Sequence, residues 1–243
     1  MHADFGSGLY DGQKIGIPYV VVSGTTPKSR VAFDYADESD KGPYPIPANV
    51  PIEGDPNPDG GDRHALIVDR STCTLYELYA LHRAGGGWAA GSGAIWSLGS
   101  NKLRPAGWTS ADAAGLPILP GLARYGEVAA GAIDHALRFT AERTRDTYIY
   151  PARHQASSSS DPALPPMGLR VRLKASFNTV GFPRQARIVL EALKRYGMIL
   201  ADNGSPWYLS GAPDPRWSND DLHSLGRLTG ADFEVVDTSR LRP

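Results

Sequence analysis

A carboxylate set among aromatic residues is the first feature of this sequence that could perform chemistry. Glu77 lies inside the segment Leu75-Tyr76-Glu77-Leu78-Tyr79. Aromatic neighbours and loss of water raise the pKa of a carboxyl group, and a raised pKa is what a general acid requires. The same pattern also suits an edge-strand glutamate that points to solvent or pairs with an arginine. Glu77 is therefore either a general acid or a glutamate with only a structural role.

A loop that combines an aspartate with tryptophan residues is the second candidate. Asp112 follows Trp108 in a stretch rich in Gly, Ser and Pro, and Trp96 and Arg104 precede it. Such a loop is typical of a sugar site, because an indole ring stacks on a pyranose face while a carboxylate binds hydroxyls or moves a proton. We expect Trp108 to be partly exposed in a concave surface beside Asp112 or the glutamate above. The alternative is that Ser110 or Asp112 merely caps a short helical turn.

The third candidate is the segment 133–139, which contains Asp134 and His135. Interpreted as a strand, it places His135 on the same face as the apolar residues, with Asp134 on the opposite face. Asp112 or Asp134 would then partner Glu77 as the carboxylate pair of a glycosidase, in which the two carboxyl groups are about 5–9.5 Å apart. His135 would act in proton transfer, although a histidine on an apolar face is more often a hydrogen-bonded core residue.

Histidine residues raise the question of a metal site. His64, His135 and His154 would form one with Glu77 only if distant segments brought them to the same cleft. The sequence contains no zinc-hydrolase, serine-hydrolase, phosphate-loop or dinucleotide motif, and its single cysteine, Cys73, excludes a cysteine zinc site. We therefore predict no metal ion and no cofactor, and we keep a metal-dependent enzyme as an alternative.

Basic and aromatic residues in the second half of the chain are candidates for substrate binding. Arg170 and Arg172 alternate with apolar residues, so they share the outer face of a predicted strand. That face is either solvated or holds the carboxylates of an acidic polysaccharide, to which arginine pairs through two hydrogen bonds. Trp207 precedes a proline-rich turn and either lines a cleft or covers the end of the core.

The composition limits the classes of protein to consider. The chain has 243 residues, a formal net charge of -1 and 41% hydrophobic residues, which is enough for a packed core and lacks the basic surplus of a nucleic-acid binder. Its apolar runs are too short to cross a membrane. We therefore predict a globular protein that binds neither nucleic acid nor membranes.

Hydrophobic periodicity indicates a mainly β protein. Segments 64–69 and 74–81 form the clearest strand pair. One helix begins near Pro183, carries an apolar stripe at helical spacing and ends at Gly197. Because neither a repeat nor a linker is recognisable, residues 1–243 are predicted to form a single β-rich domain. We expect a β-sandwich or jelly roll with one packed α-helix and long loops.

Two segments carry a resemblance to known proteins. Residues 104–117 and 196–204 resemble a largely uncharacterised group of exported bacterial proteins that often accompany carbohydrate-active domains. The resemblance extends over most of the chain from about His64 onward and brings no catalytic residue with it. It implies an extracellular protein whose partner is a polysaccharide or oligosaccharide.

These observations lead to one functional prediction with two main alternatives. We predict a secreted, polysaccharide-active glycoside hydrolase that uses a carboxylate pair. The first alternative is a polysaccharide lyase, in which His135 or a tyrosine is the base and Arg170 or Arg172 neutralises a uronate. The second alternative is a carbohydrate-binding module without catalytic activity.

Overall fold

The computed structural model describes residues 1–241 of the chain, and strands dominate it. Strands hold 27% of the residues and helices 15%, so the prediction of a mainly β, sandwich-like fold is confirmed. The strands are β1 (His2–Asp4), β2 (Leu9–Tyr10), β3 (Gln13–Lys14), β4 (Tyr19–Val22), β5 (Val31–Phe33), β6 (Ala65–Asp69), β7 (Thr74–Tyr79), β8 (His82–Ala84), β9 (Gly87–Ala90), β10 (Ser92–Ser97), β11 (Leu137–Ala141), β12 (Arg170–Leu173), β13 (Met198–Asn203), β14 (Tyr208–Ser210) and β15 (Phe233–Val235). The α-helices are α1 (Tyr125–Ala130), α2 (Arg184–Arg195) and α3 (Asn219–His223), and 3-10 turns occupy Ala36–Glu38, Leu119–Gly121, Ser224–Arg227 and Gly230–Asp232. Within residues 1–241, no helix has the length and apolar character needed to cross a membrane.

The largest sheet has six strands and mixes parallel with antiparallel pairs. Its order is β1-β14-β11-β13-β12-β15, with β1 parallel to β14 and β11 parallel to β13. Asp4 pairs with Ser210, and β14 runs antiparallel to β11, so Asp4, Ser210 and Arg138 lie in one row across the sheet. Thr140 and Asp202 pair in the next row of the same face. This polar face positions the candidate site.

The opposite face of the same sheet is apolar and carries the main core. Leu137, Phe139 and Leu200 belong to a buried cluster that also contains the inner side of α2. The predicted apolar stripe of this helix is confirmed, since four of its members are buried: Ala186, Val189, Leu190 and Leu193. Fully burying a valine or leucine contributes about 1.5–3 kcal/mol. Helix α2 therefore stabilises the sheet from the side remote from the site.

A second sheet of four strands, in the order β10-β7-β6-β4, contains the predicted hairpin of β6 and β7. One face packs against the three-stranded sheet β5-β9-β8 through residues such as Ile67 and Trp88. The other face packs against the segment 111–122 through residues such as Leu66 and Leu75. That segment also hydrogen-bonds to β13 through the amide of Ala114. It therefore lies between the two larger sheets and connects them.

The structure differs from the sequence prediction around residue 133. The strand expected over 133–140 begins only at Leu137, and the short helix α1 precedes it. Helix α1 has six residues and buries only Val128, so it is too short to show helical periodicity. This correction matters for the site, because it removes His135 from the strand.

Candidate active site

Arg138 is the centre of a buried ion-pair network near the start of β11. Its Nε and one Nη donate to the two carboxylate oxygens of Asp112 at 3.1 and 3.0 Å, and the same Nη donates to Asp202 at 2.9 Å. The other Nη donates to the hydroxyl of Ser210 at 2.5 Å. The side chain of Arg138 is 6% exposed, that of Asp112 is 1% and that of Asp202 is 17%. One cation therefore holds two carboxyl groups, of which Asp202 is the one that reaches solvent.

Burial beside a second carboxyl group raises the pKa of Asp202. Burial is the largest cause, Arg138 opposes it, and repulsion from Asp112 adds to it, so the pKa reaches about 7. Burial also raises the pKa of Asp112. Because Asp112 accepts the bidentate pair of hydrogen bonds, it is the ionised partner of the guanidinium. Asp202 consequently keeps its proton close to neutral pH, as a general acid must.

Further carboxylates lie within electrostatic range of this network, and the name acidic cleft is used below for the group Asp4, Glu53, Asp62 and Asp202. Asp4 is solvent-exposed. Its pKa is nevertheless raised, first by burial and then by the charge of Glu53. Asp4 also lines a surface pocket together with His2 and Tyr208.

Asp62 lies within electrostatic range of the other groups of the acidic cleft. It is exposed and lies three residues before the start of β6. Its charge raises the pKa values of Asp4, His64, Tyr79 and Asp202. These four groups come from both large sheets. Asp62 is thus an exposed carboxylate within electrostatic range of Asp202.

A buried histidine supports the cleft from the same side. His64 is 2% exposed; its Nδ1 lies 2.6 Å from Glu53 Oε2 and its Nε2 lies 3.0 Å from the carbonyl oxygen of Ala111. Both partners accept hydrogen bonds, so the ring holds two protons and is a cation. Burial lowers the pKa of His64, but Glu53 counteracts it and the pKa is raised to about 9. The imidazolium therefore ties Glu53 to the backbone beside Asp112.

Several residues predicted from the sequence meet in a single cavity. Trp96, Arg104, Asp112 and His135 line a cavity of about 750 Å³, together with Arg138. This volume is in the range of small-molecule sites, which is about 300–1,000 Å³. The pair of Asp112 and Arg138 lines the cavity and also contacts the acidic cleft. The structure thus brings together residues from two of the candidates, although the polar chemistry of the acidic cleft lies beside the cavity.

Glu77 faces the core and cannot reach a substrate. Its side chain is fully buried and accepts hydrogen bonds from the backbone amides of Ile118 and Leu119, each at 2.9 Å, and from the indole N–H of Trp96 at 3.1 Å. Burial raises its pKa to about 7, in the direction that the sequence indicates. The general-acid role predicted for Glu77 is nevertheless corrected. Its carboxyl group anchors the segment 111–122 to strand β7.

The tryptophan loop is held by Arg104. This side chain donates to Asp40 and to the carbonyl oxygen of Glu38, each at 2.6 Å, and its guanidinium carbon lies 5.6 Å from the ring of Trp96 and 5.4 Å from that of Trp108. Trp108 is half-buried, as expected. It does not line the cavity, however. Its ring lies instead near the guanidinium of the arginine that anchors the loop.

The capped-turn interpretation of the same loop agrees with the structure. The hydroxyl of Ser110 accepts a hydrogen bond from the amide of Asp112 at 2.9 Å, and the amide of Gly115 donates to the carbonyl oxygen of Asp112 at 3.0 Å. Asp112 thus shapes the turn with its backbone and holds Arg138 with its side chain. The two interpretations of this residue are compatible.

Asp134 and His135 lie before strand β11, which corrects their predicted placement on it. Asp134 is exposed and accepts a hydrogen bond from the hydroxyl of Tyr196 at 3.2 Å, so it forms no pair with Glu77. His135 lines the cavity, but its Nδ1 lies 2.9 Å from a backbone carbonyl oxygen and its Nε2 lies 3.0 Å from Glu127. Neither ring nitrogen is available as a base in this arrangement.

The predicted substrate-binding residues of the second half of the chain have structural partners. Arg170 donates to the backbone carbonyl oxygen that follows helix α2. Arg172 pairs with Glu234 at 2.6 Å on an exposed surface. Trp207 stacks on Phe139 with 5.6 Å between ring centroids and packs against the main core. None of these three residues lines the cavity described above.

The histidines proposed for a metal-dependent alternative do not meet. In the described range 1–241, no group of three or more His, Cys, Asp or Glu side chains has an arrangement that could hold a metal ion. The Nδ1 of His154 lies 3.0 Å from the carbonyl oxygen of Ala113, and His64 and His135 have the partners given above. Each histidine instead fixes a loop near the site.

Sequence analysis missed the residues that dominate the acidic cleft. The sequence predicts a turn at Asp202, Asn203 and Gly204, whereas strand β13 in fact continues to Asn203. Asp4 and Asp62 lie in segments without recognisable periodicity. Arg138 did carry a signal, because a charge inside an apolar strand must be paired when it is buried. That signal predicts a carboxylate partner without saying which one.

Comparisons of this chain with protein-family models, with curated proteins and with solved structures gave no match. The function is therefore argued from the geometry and electrostatics of the site.

Proposed function

We propose that the acidic cleft hydrolyses glycosidic bonds of a neutral polysaccharide or oligosaccharide, with Asp202 as the general acid and Asp62 as the second carboxylate. The observation that carries the proposal is the partly exposed carboxyl group of Asp202, whose pKa of about 7 keeps it substantially protonated at neutral pH. A glycosidase needs a protonated acid for the leaving oxygen and an ionised carboxylate for the anomeric carbon or its attacking water. Asp202 and Asp62 offer these two roles.

The surroundings of the two carboxyl groups support a sugar as the substrate. Tyr79 is half-buried beside Asp62, and the half-buried ring of Tyr208 lies 5.2 Å from that of His2 on the polar face of the six-stranded sheet. Aromatic faces pack against sugar rings, and carboxylates accept hydrogen bonds from hydroxyl groups. The site thus combines the two kinds of contact that saccharides use.

The charge of the cleft favours a neutral substrate over an acidic one. Five carboxyl groups surround the two cations Arg138 and His64: Asp4, Glu53, Asp62, Asp112 and Asp202. Such a surplus of negative charge repels a uronate. Arg170 and Arg172, which a lyase would need for neutralising the uronate, are engaged elsewhere. Hydrolysis is therefore preferred to elimination.

A panel of neutral and acidic polysaccharides tests the reaction class. Reducing ends released from a neutral polymer, without the ultraviolet absorbance of an unsaturated product, are the expected result. Absorbance gained on a uronate polymer would instead establish a lyase. Binding without any product from the whole panel would leave a carbohydrate-binding module and would overturn the proposal.

Two variants test the residues on whichever substrate the panel identifies. Asp202→Asn and Asp62→Asn should each lower kcat by about 10²–10⁴-fold, the usual contribution of a general acid or base. A substrate with a phenolate leaving group should restore turnover in Asp202→Asn only, because such a group departs without protonation. The exposed Asp59→Asn, in the same loop as Asp62, is the matched control. Full activity in Asp202→Asn would contradict the assignment.

The pH dependence gives a further test with a defined sign. The acid must be protonated to donate, so kcat should fall as the pH rises through about 7, where Asp202 loses its proton. In Asp202→Asn, with a phenolate-leaving substrate, this alkaline limb should disappear. If the alkaline limb persisted in Asp202→Asn, it would belong to the titration of another group.

A further inference from the structure

The cavity of about 750 Å³ is lined mainly by apolar groups, and the acidic cleft does not account for it. Its walls come from strand β10, the segment 98–105 and the strands β11 and β13. Large apolar side chains face it from both sheets, among them Leu75, Ile95, Trp96, Leu116 and Ile199. A lining of this kind favours a ligand with a substantial apolar body.

Most polar groups in the walls are already engaged with the protein. Arg104 donates from all three of its guanidinium nitrogens to protein oxygens. Arg138 and Asp112 satisfy one another, both nitrogens of His135 are engaged, and the indole N–H of Trp96 is donated to a buried carboxylate. A ligand rich in hydroxyl groups would lose its hydrogen bonds to water here and find few replacements, which is costly.

One cationic side chain at the edge of the cavity is different. Lys102 is exposed and lines the cavity next to Ser100 and Asn101. No carboxylate in the described part of the chain forms an ion pair with it, whereas Arg104 two residues later pairs with Asp40. Lys102 can therefore receive an anionic group from a ligand whose body occupies the apolar space.

We propose that this cavity binds a small amphiphile with an apolar body and a single carboxylate head, with the head paired to Lys102 and the body against Trp96 and Ile199. The proposal does not rest on glycosidase activity, because it uses the lining and the charge of the cavity alone. A medium-chain fatty acid is the simplest molecule with this chemistry.

Calorimetric titration of the full chain with decanoate and with decanol tests the proposal. Decanoate should bind saturably with one molecule per chain, and decanol should bind about tenfold more weakly, since one charge-assisted contact is missing. Lys102→Glu should weaken decanoate binding by about tenfold or more and leave decanol binding unchanged. Lys14→Glu is the matched control, because it reverses the charge of an exposed lysine on strand β3. It should leave the binding of both ligands unchanged.

Filling the cavity provides the second arm of the test. Ile199→Trp should abolish binding of both ligands while its thermal unfolding stays cooperative. If this variant does not fold, the Lys102→Glu titration decides alone. Absence of saturable decanoate binding, equal affinities in wild type and Lys102→Glu, or unchanged binding in a folded Ile199→Trp would each overturn the proposal. Loss of decanoate binding without loss of glycosidase activity would separate the two sites.

Discussion

Replacement of His64 by glutamine removes a buried cation and keeps a side chain of similar length that can still hydrogen-bond. The imidazolium lies between Glu53 Oε2 at 2.6 Å and the carbonyl oxygen of Ala111 at 3.0 Å. Glutamine can donate to one of these acceptors but cannot neutralise the carboxylate. The variant therefore isolates the contribution of the charge to the stability of the fold.

The magnitude follows from the raised pKa of His64. The ordinary value is 6.5 and the value in the fold is about 9, so the folded protein binds the proton more tightly than the unfolded chain does. At 1.36 kcal/mol for each pKa unit, the difference corresponds to about 3 kcal/mol of stability. Because the pKa is raised, this contribution is complete below pH 6.5 and is lost as the pH rises through about 9.

Urea unfolding at a series of pH values between 6 and 10 measures this contribution. The free energy of unfolding of the wild-type protein should exceed that of His64→Gln most at pH 6, and the difference should shrink by about 3 kcal/mol at pH 10. Titrating groups that do not interact with His64 affect both proteins equally and cancel in the difference. For a chain of this size, the change corresponds to roughly 6–12 °C in Tm at the acidic end.

His82→Gln is the control, because His82 is exposed and hydrogen-bonds only to the carbonyl oxygen of Ala80. It should leave the pH dependence of the wild type in place. A stability difference between the wild type and His64→Gln that is constant from pH 6 to pH 10 would refute the reasoning. In that case His64 would be a neutral ring held by packing, and Glu53 would carry the proton between them.

Three further perturbations test the structural assignments. Glu77→Gln should lower the free energy of unfolding by about 1–3 kcal/mol, because the amide cannot accept every backbone N–H that the carboxyl group accepts; an unchanged urea midpoint would contradict this role. Trp96→Ala should lower the free energy of unfolding by about 3–5 kcal/mol, since Trp96 is only 9% exposed. Trp108→Ala should lower it clearly less, because Trp108 is half-buried. Equal losses of stability in urea unfolding would show that the loop packs differently. Gly54→Ala should lower Tm much more than Gly12→Ala, although both glycines have positive φ. A Cβ at Gly54 would lie 1.8 Å from a backbone oxygen, whereas a Cβ at Gly12 would meet nothing within 4 Å. Similar Tm values for the two glycine variants would contradict the close packing of the loop that carries Glu53.

The helix and the central hairpin could be predicted from the sequence because local patterns specify them. The apolar stripe of α2 recurs at helical spacing, and Gly197, at φ +73°, ends the helix in a conformation that favours glycine. Strands β6 and β7 are separated by a four-residue turn and carry β-branched and aromatic side chains. Each of these signals spans fewer than about 20 residues, so no knowledge of distant segments is needed.

The candidate cavity was only partly predictable. Trp96, Arg104 and Asp112 are near neighbours along the chain, so the sequence could place them together. The burial of Glu77 could not be foreseen in the same way, because the backbone amides that donate to it lie 41 and 42 residues further along the chain. A carboxylate beside aromatic residues has a raised pKa in a cleft and in a core alike, and only the path of the 111–122 segment distinguishes the two.

By itself the sequence determined that the chain is mainly β, that one amphipathic helix packs on a sheet, and that carboxylates and tryptophans are close to one another in a central loop. Tertiary structure decided which carboxylates meet. Arg138 is held between Asp112, 26 residues before it, and Asp202, 64 residues after it, because β11 pairs in parallel with β13 and the 111–122 segment lies across both sheets. A parallel pair joins residues that are far apart in sequence, and no local periodicity encodes that register. The raised pKa of Asp202 depends on this arrangement, since it arises from burial and from repulsion by Asp112.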